Sequence, residues 1–384
     1  MAIEDLYIFG VTKNGRLLYT SPTTGSPPWN PWQEVKIPDA FISIASAITQ
    51  SPSTRMVHLC GITKKGRLWY SFQTATTDWQ PFEDITDRIG IAQGKPQSVT
   101  ATGESELVLC IATRMHDDKK HILQTTRHDN GSWDTCVDVT SPQLAGQPGS
   151  FVQASCSFVQ AEVTGAIGEL DVSGITDDGR LWHTVHLDTF AWVPFVNVQK
   201  LATGAPGKFA DVSICGGNDL NIFAQSGGEI WHTIRIPSDN AVWQPTFDNI
   251  NEQAGHPGSF GPIACANLGN RIELCGITPE NGKLWRTMRS LSTSSPGWQQ
   301  FDDLSQLPGS PDAFVLVYLA YMVTWPALQD LSDPRCRKCN AQISTDRRWI
   351  QQLQMTGVGS TDPRITGLEQ DIARNQGIMR AIPC

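Results

Sequence analysis

The sequence predicts an all-β fold: a six-bladed β-propeller of four-stranded antiparallel blades, plus a small, mainly helical C-terminal tail. Three observations predict it. A run centred on Gly-Arg-Leu-Trp recurs along most of the chain. An apolar strand precedes each copy, and a Trp-led strand followed by a Pro-rich loop comes after it. All of these landmarks keep step with one another.

The best copy of the central run is Gly179-Arg180-Leu181-Trp182-His183-Thr184. Gly66-Arg67-Leu68-Trp69-Tyr70-Ser71, Gly228-Glu229-Ile230-Trp231-His232-Thr233 and Gly282-Lys283-Leu284-Trp285-Arg286-Thr287 are variants of it. Gly15 to Thr20 has Leu18 in place of the Trp, and Lys120 to Thr125 keeps only the apolar pattern and the Thr. The closing residues Thr20, Ser71, Thr125, Thr184, Thr233 and Thr287 lie roughly 50 to 60 residues apart, the spacing of solenoids, propellers and arrays.

Each unit reads as four short strands. The first landmark is an apolar strand such as Leu6–Val11, His58–Ile62 or Leu170–Ile175. A turn such as Asn14-Gly15 or Asp178-Gly179 follows, where Asn-Gly and Asp-Gly readily take the positive φ of a tight hairpin. Next come the Trp strand and a third one opened by Trp29, Trp79, Trp133, Trp192, Trp243 or Trp298. A loop ending in Pro-Gly-Ser-Phe or a relative of it then leads into a short apolar strand. The units run at 6–41, 42–99, 100–151, 152–209, 210–260 and 261–321. The chain enters at the second strand of a unit and supplies its sixth Phe-led strand last, at Phe314–Tyr321. The N- and C-terminal strands are therefore expected to share a blade, closing the ring with no exposed sheet edge.

Composition agrees. Charged residues are 17% of the chain against about 25% in an average globular domain. A net charge of -9 argues against a nucleic-acid partner. No apolar run approaches the ~20 residues of a membrane helix, so no membrane insertion is expected. The first residues lack the basic start and apolar core of a secretory signal, which points to a cytoplasmic protein or one exported without such a signal. The propeller cysteines read as small buried thiols held apart by the repeat, with Cys265 and Cys275 placed to face each other across a hairpin.

The propeller is expected to span 1–322. Residues 323–384 leave the periodicity and carry eight basic against six acidic side chains. Arg347 to Leu353 and Pro363 to Asn375 read as helices that pack on the propeller or join copies into a homo-oligomer. Cys336-Arg337-Lys338-Cys339 has metal-type spacing, but only Cys384 could join it and the tail has no His. No metal site and no cofactor is therefore expected.

On a strand alternate residues share a face, so the Trp strand groups Trp182, Thr184 and His186. The corresponding sets are Trp231, Thr233 and Arg235, then Trp285, Thr287 and Arg289; Trp69 and Ser71 start a fourth. A flat ring beside a hydroxyl and a multi-pronged donor suits a sugar, whose apolar face stacks while its hydroxyls take directional partners. The competing reading is blade packing, because a blade buries both faces. The repeated polar company of the Trp favours binding, since packing alone does not call for it.

Gly-Arg-Leu-Trp-His-Thr, Trp-x-Pro-Phe and Ala-Gly-x-Pro-Gly-x-Phe together resemble the tectonin-like propeller lectins. The resemblance is greatest to the bacterial and fungal branch that binds fucose or N-acetylglucosamine between blades. It covers about residues 6–321, and units one and three are degenerate. It implies a multivalent, non-catalytic lectin for fucose, N-acetylglucosamine or methylated glycans, on cell surfaces or free in solution. Pockets would lie between blades at Trp69, Ser71, Trp182, Thr184, His186, Trp231, Thr233, Arg235, Trp285, Thr287 and Arg289. The alternative from another class is a protein-interaction scaffold using a propeller face and the tail. No catalytic residue is expected: no nucleophile elbow, phosphate loop or His-Glu-x-x-His occurs. The inner strands, read at Ile42–Ile44, Val152–Ala154 and Pro262–Ala264, show no titratable group.

Overall fold

The computed structural model describes residues 6–321, apart from 24–27, 51–53, 92–93, 160–168, 188–190, 237–241, 292–296 and 312, together with Gln370. The tail helices and Cys336, Cys339 and Cys384 lie outside the described residues. Six antiparallel sheets of four strands form six blades, one of them with the extra short strand Asp248–Asn249. The ring closes as the offset requires. Leu6–Thr12 pairs antiparallel with Phe314–Tyr321, from Leu6 opposite Tyr321 to Thr12 opposite Phe314, so blade one contains both ends of the ring.

The inner strands are Phe314–Tyr321, Phe41–Gln50, Lys95–Gly103, Phe151–Val159, Asp211–Cys215 and Ile263–Asn267, in blades one to six. They are not laddered to one another, so side chains stitch them together. Ser43 Oγ accepts the Val99 N–H, Ser155 Oγ that of Ile214 and Ser213 Oγ that of Cys265, each at 3.0 Å. The apolar core is divided into seams, each between two adjacent blades.

Two sequence motifs explain each other within a blade. Gly276 in the middle strand lies under Phe260, and a Cβ there would come within 2.6 Å of the ring. Phe260 in turn packs against Phe301, the rings tilted by 42° with centroids 5.0 Å apart. The Gly of Cys-Gly-Ile-Thr, the Phe of the Pro-rich loop and the Phe after the outer Trp thus form one packed unit. Phe151 with Gly174 and Phe195 repeats it. In the hairpins Gly179 has φ +82°, a conformation that side chains with a Cβ rarely adopt.

The cysteine expectation is corrected. Cys265 stands opposite Leu274 and Cys275 opposite Ala264, so the two thiols alternate in register and do not face each other. The thiols that do come together lie on different blades: Cys215 neighbours Cys265, and Cys110 neighbours Cys156; burial, then the neighbouring thiol, pushes the Cys215 thiol well up. The seven described cysteines are free thiols.

Candidate functional site

Trp69, Trp182, Trp231 and Trp285 are half-buried, and each lies in the seam its blade shares with the preceding one. The indole N–H of Trp182 donates to Thr176 Oγ1 and that of Trp285 to Thr278 Oγ1, both at 3.2 Å. These bonds fix the ring planes while leaving part of each ring open. The Lys283 ammonium lies 5.4 Å from the Trp285 ring centroid.

The hydroxyls that accompany these rings face inward. Ser71, Thr184, Thr233 and Thr287 are at most 1% exposed. Thr287 donates to the Gln299 carbonyl at 2.6 Å, Ser71 to Gln80 at 2.5 Å, and Thr184 to Val193. The acceptor is always the residue after the outer Trp, as it is for Thr20 and Thr125 in the degenerate units. This bond ties the Trp strand to the start of the outer one, so the recurrence of the hydroxyl has a structural cause that the sequence reading did not allow for. Blade five carries one extra residue after its outer Trp, and there Thr233 Oγ1 has no partner.

The third members of the sets diverge. Arg235 is buried between Asp171 Oδ1 at 3.2 Å and Glu169 Oε2 at 3.3 Å, both on blade four. Burial alone would lower its pKa, but the two carboxylates more than offset that and hold it above the ordinary value. Arg235 therefore joins two blades and does not face solvent. Arg289 and His186 are half-buried. His186 packs against Trp192 with centroids 4.8 Å apart, and burial lowers its pKa. Among the eleven predicted residues, the four indoles, Arg289 and His186 keep some open surface; the remaining five are inside.

Sequence reasoning missed the device that joins the blades. In blade four Asp171 lies 3.1 Å from His183, whose ring meets Trp243 of blade five edge-on at 5.3 Å. Glu273 and Arg286 of blade six, 2.8 Å apart, meet Trp29 of blade one, with the guanidinium 5.2 Å from the ring centroid. His58 and Tyr70 of blade two meet Trp133, and Asn221 and His232 of blade five meet Trp298. The available signal was a polar residue at one fixed place in an otherwise apolar middle strand.

A second omission is in the central channel. Asp211 opens the inner strand of blade five and lines a cavity of about 360 Å³, with Gln153, Ser155, Gln225 and Tyr318 among its walls. Its Oδ1 accepts from Gln153 Nε2 and its Oδ2 from the Ile263 N–H, each at 2.8 Å. Loss of water raises its pKa to about 7 in spite of those donors. The inner strands do carry a titratable group, contrary to the sequence reading, which sampled other strands.

No family model matches the sequence, and comparison with curated proteins finds no match. Solved structures do match. The chain is similar to the Aleuria aurantia lectin, described as a six-bladed β-propeller with a novel fucose recognition mode, at TM-score 0.53 and 12% identity; 79% of this chain and 91% of the lectin are covered. A point mutant of that lectin in complex with α-methyl-L-fucoside gives TM-score 0.54 and 15% identity over 80% and 92%. AofleA from Arthrobotrys oligospora gives 0.53 and 11% over 84% and 91%. The shared feature is the propeller fold.

Proposed function

We propose that the chain is a multivalent, non-catalytic carbohydrate-binding lectin whose sites are the grooves between blades. The observation that carries this reading is the set of part-open indoles at Trp69, Trp182, Trp231 and Trp285, one in each of four seams. A part-exposed ring, held at Trp182 and Trp285 by its N–H bond, offers the stacking surface that the apolar face of a pyranose needs. Arg289 and His186 are the polar groups of the predicted sets that stay within reach of solvent. Buried Arg235 and the strand-clamping hydroxyls position the grooves without touching a ligand. The names of the similar structures, fucose-binding lectins among them, support the substrate class. Fucose, N-acetylglucosamine and methylated glycans are the ligands to try first. The tectonin-like kinship rests on the repeat motifs and adds nothing to this reading.

The test is a glycan array of the full chain, repeated with free fucose and N-acetylglucosamine as competitors. Selective binding abolished by free sugar, and reduced by Trp231→Ala with Trp285→Ala in a folded protein, supports the proposal. Unchanged binding in that double variant removes the site assignment. Binding that ignores free sugar but disappears without residues 323–384 replaces the lectin with a protein-interaction scaffold.

A further inference from the structure

Two tyrosines of blade one, three residues apart on its inner strand, reach across the central channel. The Tyr318 hydroxyl reaches blade three, 2.6 Å from Thr100 Oγ1 and within hydrogen-bonding distance of the Ala101 backbone. Tyr321 reaches blade four, where its hydroxyl lies 3.0 Å from Ser157 Oγ. Tyr318 and Asp211 both line the about 360 Å³ space.

The lining is rich in acceptors. Asp211 brings a carboxylate. Gln225, 8% exposed, gives its amide N–H to the Phe260 carbonyl at 2.8 Å, which leaves Oε1 as an acceptor. Gln153 likewise uses Nε2 on Asp211 and keeps Oε1. Among the described residues, no Lys, Arg or His lines the cavity. A half-buried carboxylate with no cation beside it is an unfavourable arrangement, which a cationic ligand would relieve. A hard divalent ion wants about six or more oxygen ligands and would find one carboxylate here. Ile44, Val99 and Leu316 supply an apolar wall that suits carbon. A protein of net charge -9 also favours entry of cations over anions.

We propose that this channel cavity is a second ligand site, separate from the interblade grooves, and that it takes a small organic molecule bearing a protonated primary amine. The ammonium pairs with Asp211 and the amide oxygens of Gln153 and Gln225, and its carbon skeleton lies on the apolar wall. The other titratable group in the lining is Tyr318, which burial pushes far above the range where it would ionise. Asp211 therefore sets the pH dependence.

The test is calorimetric titration of the full chain with cyclohexylamine, whose amine stays protonated between pH 5.5 and pH 8, against cyclohexanol as its neutral counterpart. At pH 8 the amine is expected to bind at least tenfold tighter than the alcohol. Between pH 8 and pH 5.5 amine binding should weaken on the order of thirtyfold, the ratio of ionised carboxylate for a group titrating at about 7. In Asp211→Asn, where the one remaining side-chain oxygen can take the place of Oδ2 and accept the Ile263 N–H, the amine should lose its advantage over the alcohol. Equal binding of amine and alcohol at pH 8, no amine binding at pH 8, or a preserved advantage in folded Asp211→Asn would each overturn the proposal. The amine and alcohol comparison needs no variant, and neither probe is a sugar, so the outcome is independent of the lectin reading.

Discussion

The Arg235 guanidinium sits 3.2 Å from the Asp171 carboxylate across the seam between blades four and five, with neither side chain more than 7% exposed. Removing one partner of such a pair leaves charge buried without compensation. Arg235→Ala is expected to destabilise the fold by about 3–5 kcal/mol in urea unfolding. Combining Arg235→Met with Glu169→Gln and Asp171→Asn removes both signs of charge together and should cost less than the single change. A triple variant less stable than Arg235→Ala would show that the charges themselves hold the seam.

The strand clamp gives a paired prediction. In Thr287→Val the Gln299 carbonyl loses its donor, and the protein should lose about 1–3 kcal/mol. Thr233 has no acceptor, so Thr233→Val at the equivalent position should be neutral or slightly stabilising. Neither change should alter sugar affinity. An affinity loss in Thr287→Val with stability intact would return the hydroxyl to the binding site.

The fold was legible in the sequence because its determinants are local and repeat. The hairpin glycine, the strand-opening Trp and the Phe that covers a glycine all recur in register, and the offset between first and last strands dictates closure. The site was less legible because a β-strand pattern gives the face of a side chain but not its partner. Trp285, Thr287 and Arg289 share a face, yet Thr287 turns to a backbone carbonyl while the ring stays part-open. Arg235 occupies the place of Arg289, but its fate is set by Glu169 and Asp171, more than sixty residues earlier. Asp211 stayed hidden because a lone acidic residue opening a strand looks like a turn residue until six inner strands meet.

Buried histidines predict acid lability. Burial, with a smaller contribution from Arg127 for His58 and from Arg289 for His232, lowers both rings to about 3. In the unfolded chain each takes up a proton near pH 6.5. A depressed folded value means that the stability contribution is whole above 6.5 and is lost as pH falls toward 3. Each histidine should contribute a slope of about 1.4 kcal/mol per pH unit in that window. Urea midpoints at pH 7, 5 and 4 test this: His58→Gln should flatten the decline, and a parallel curve would assign the acid sensitivity elsewhere.

The seams also separate affinity from avidity. Trp182 and Trp285 lie in different seams of one rigid ring, each fixed by its own N–H bond to a threonine. Removing one ring should leave the other grooves unperturbed, since they share no contact. Titration of Trp285→Ala with free monosaccharide is therefore expected to show fewer sites at unchanged affinity. On a surface dense with the same sugar, the loss of one foothold multiplies through, and retention should fall by about tenfold or more. Fewer sites with undiminished surface retention would mean that the grooves act singly, and the multivalent part of the reading would be lost while sugar binding itself remained.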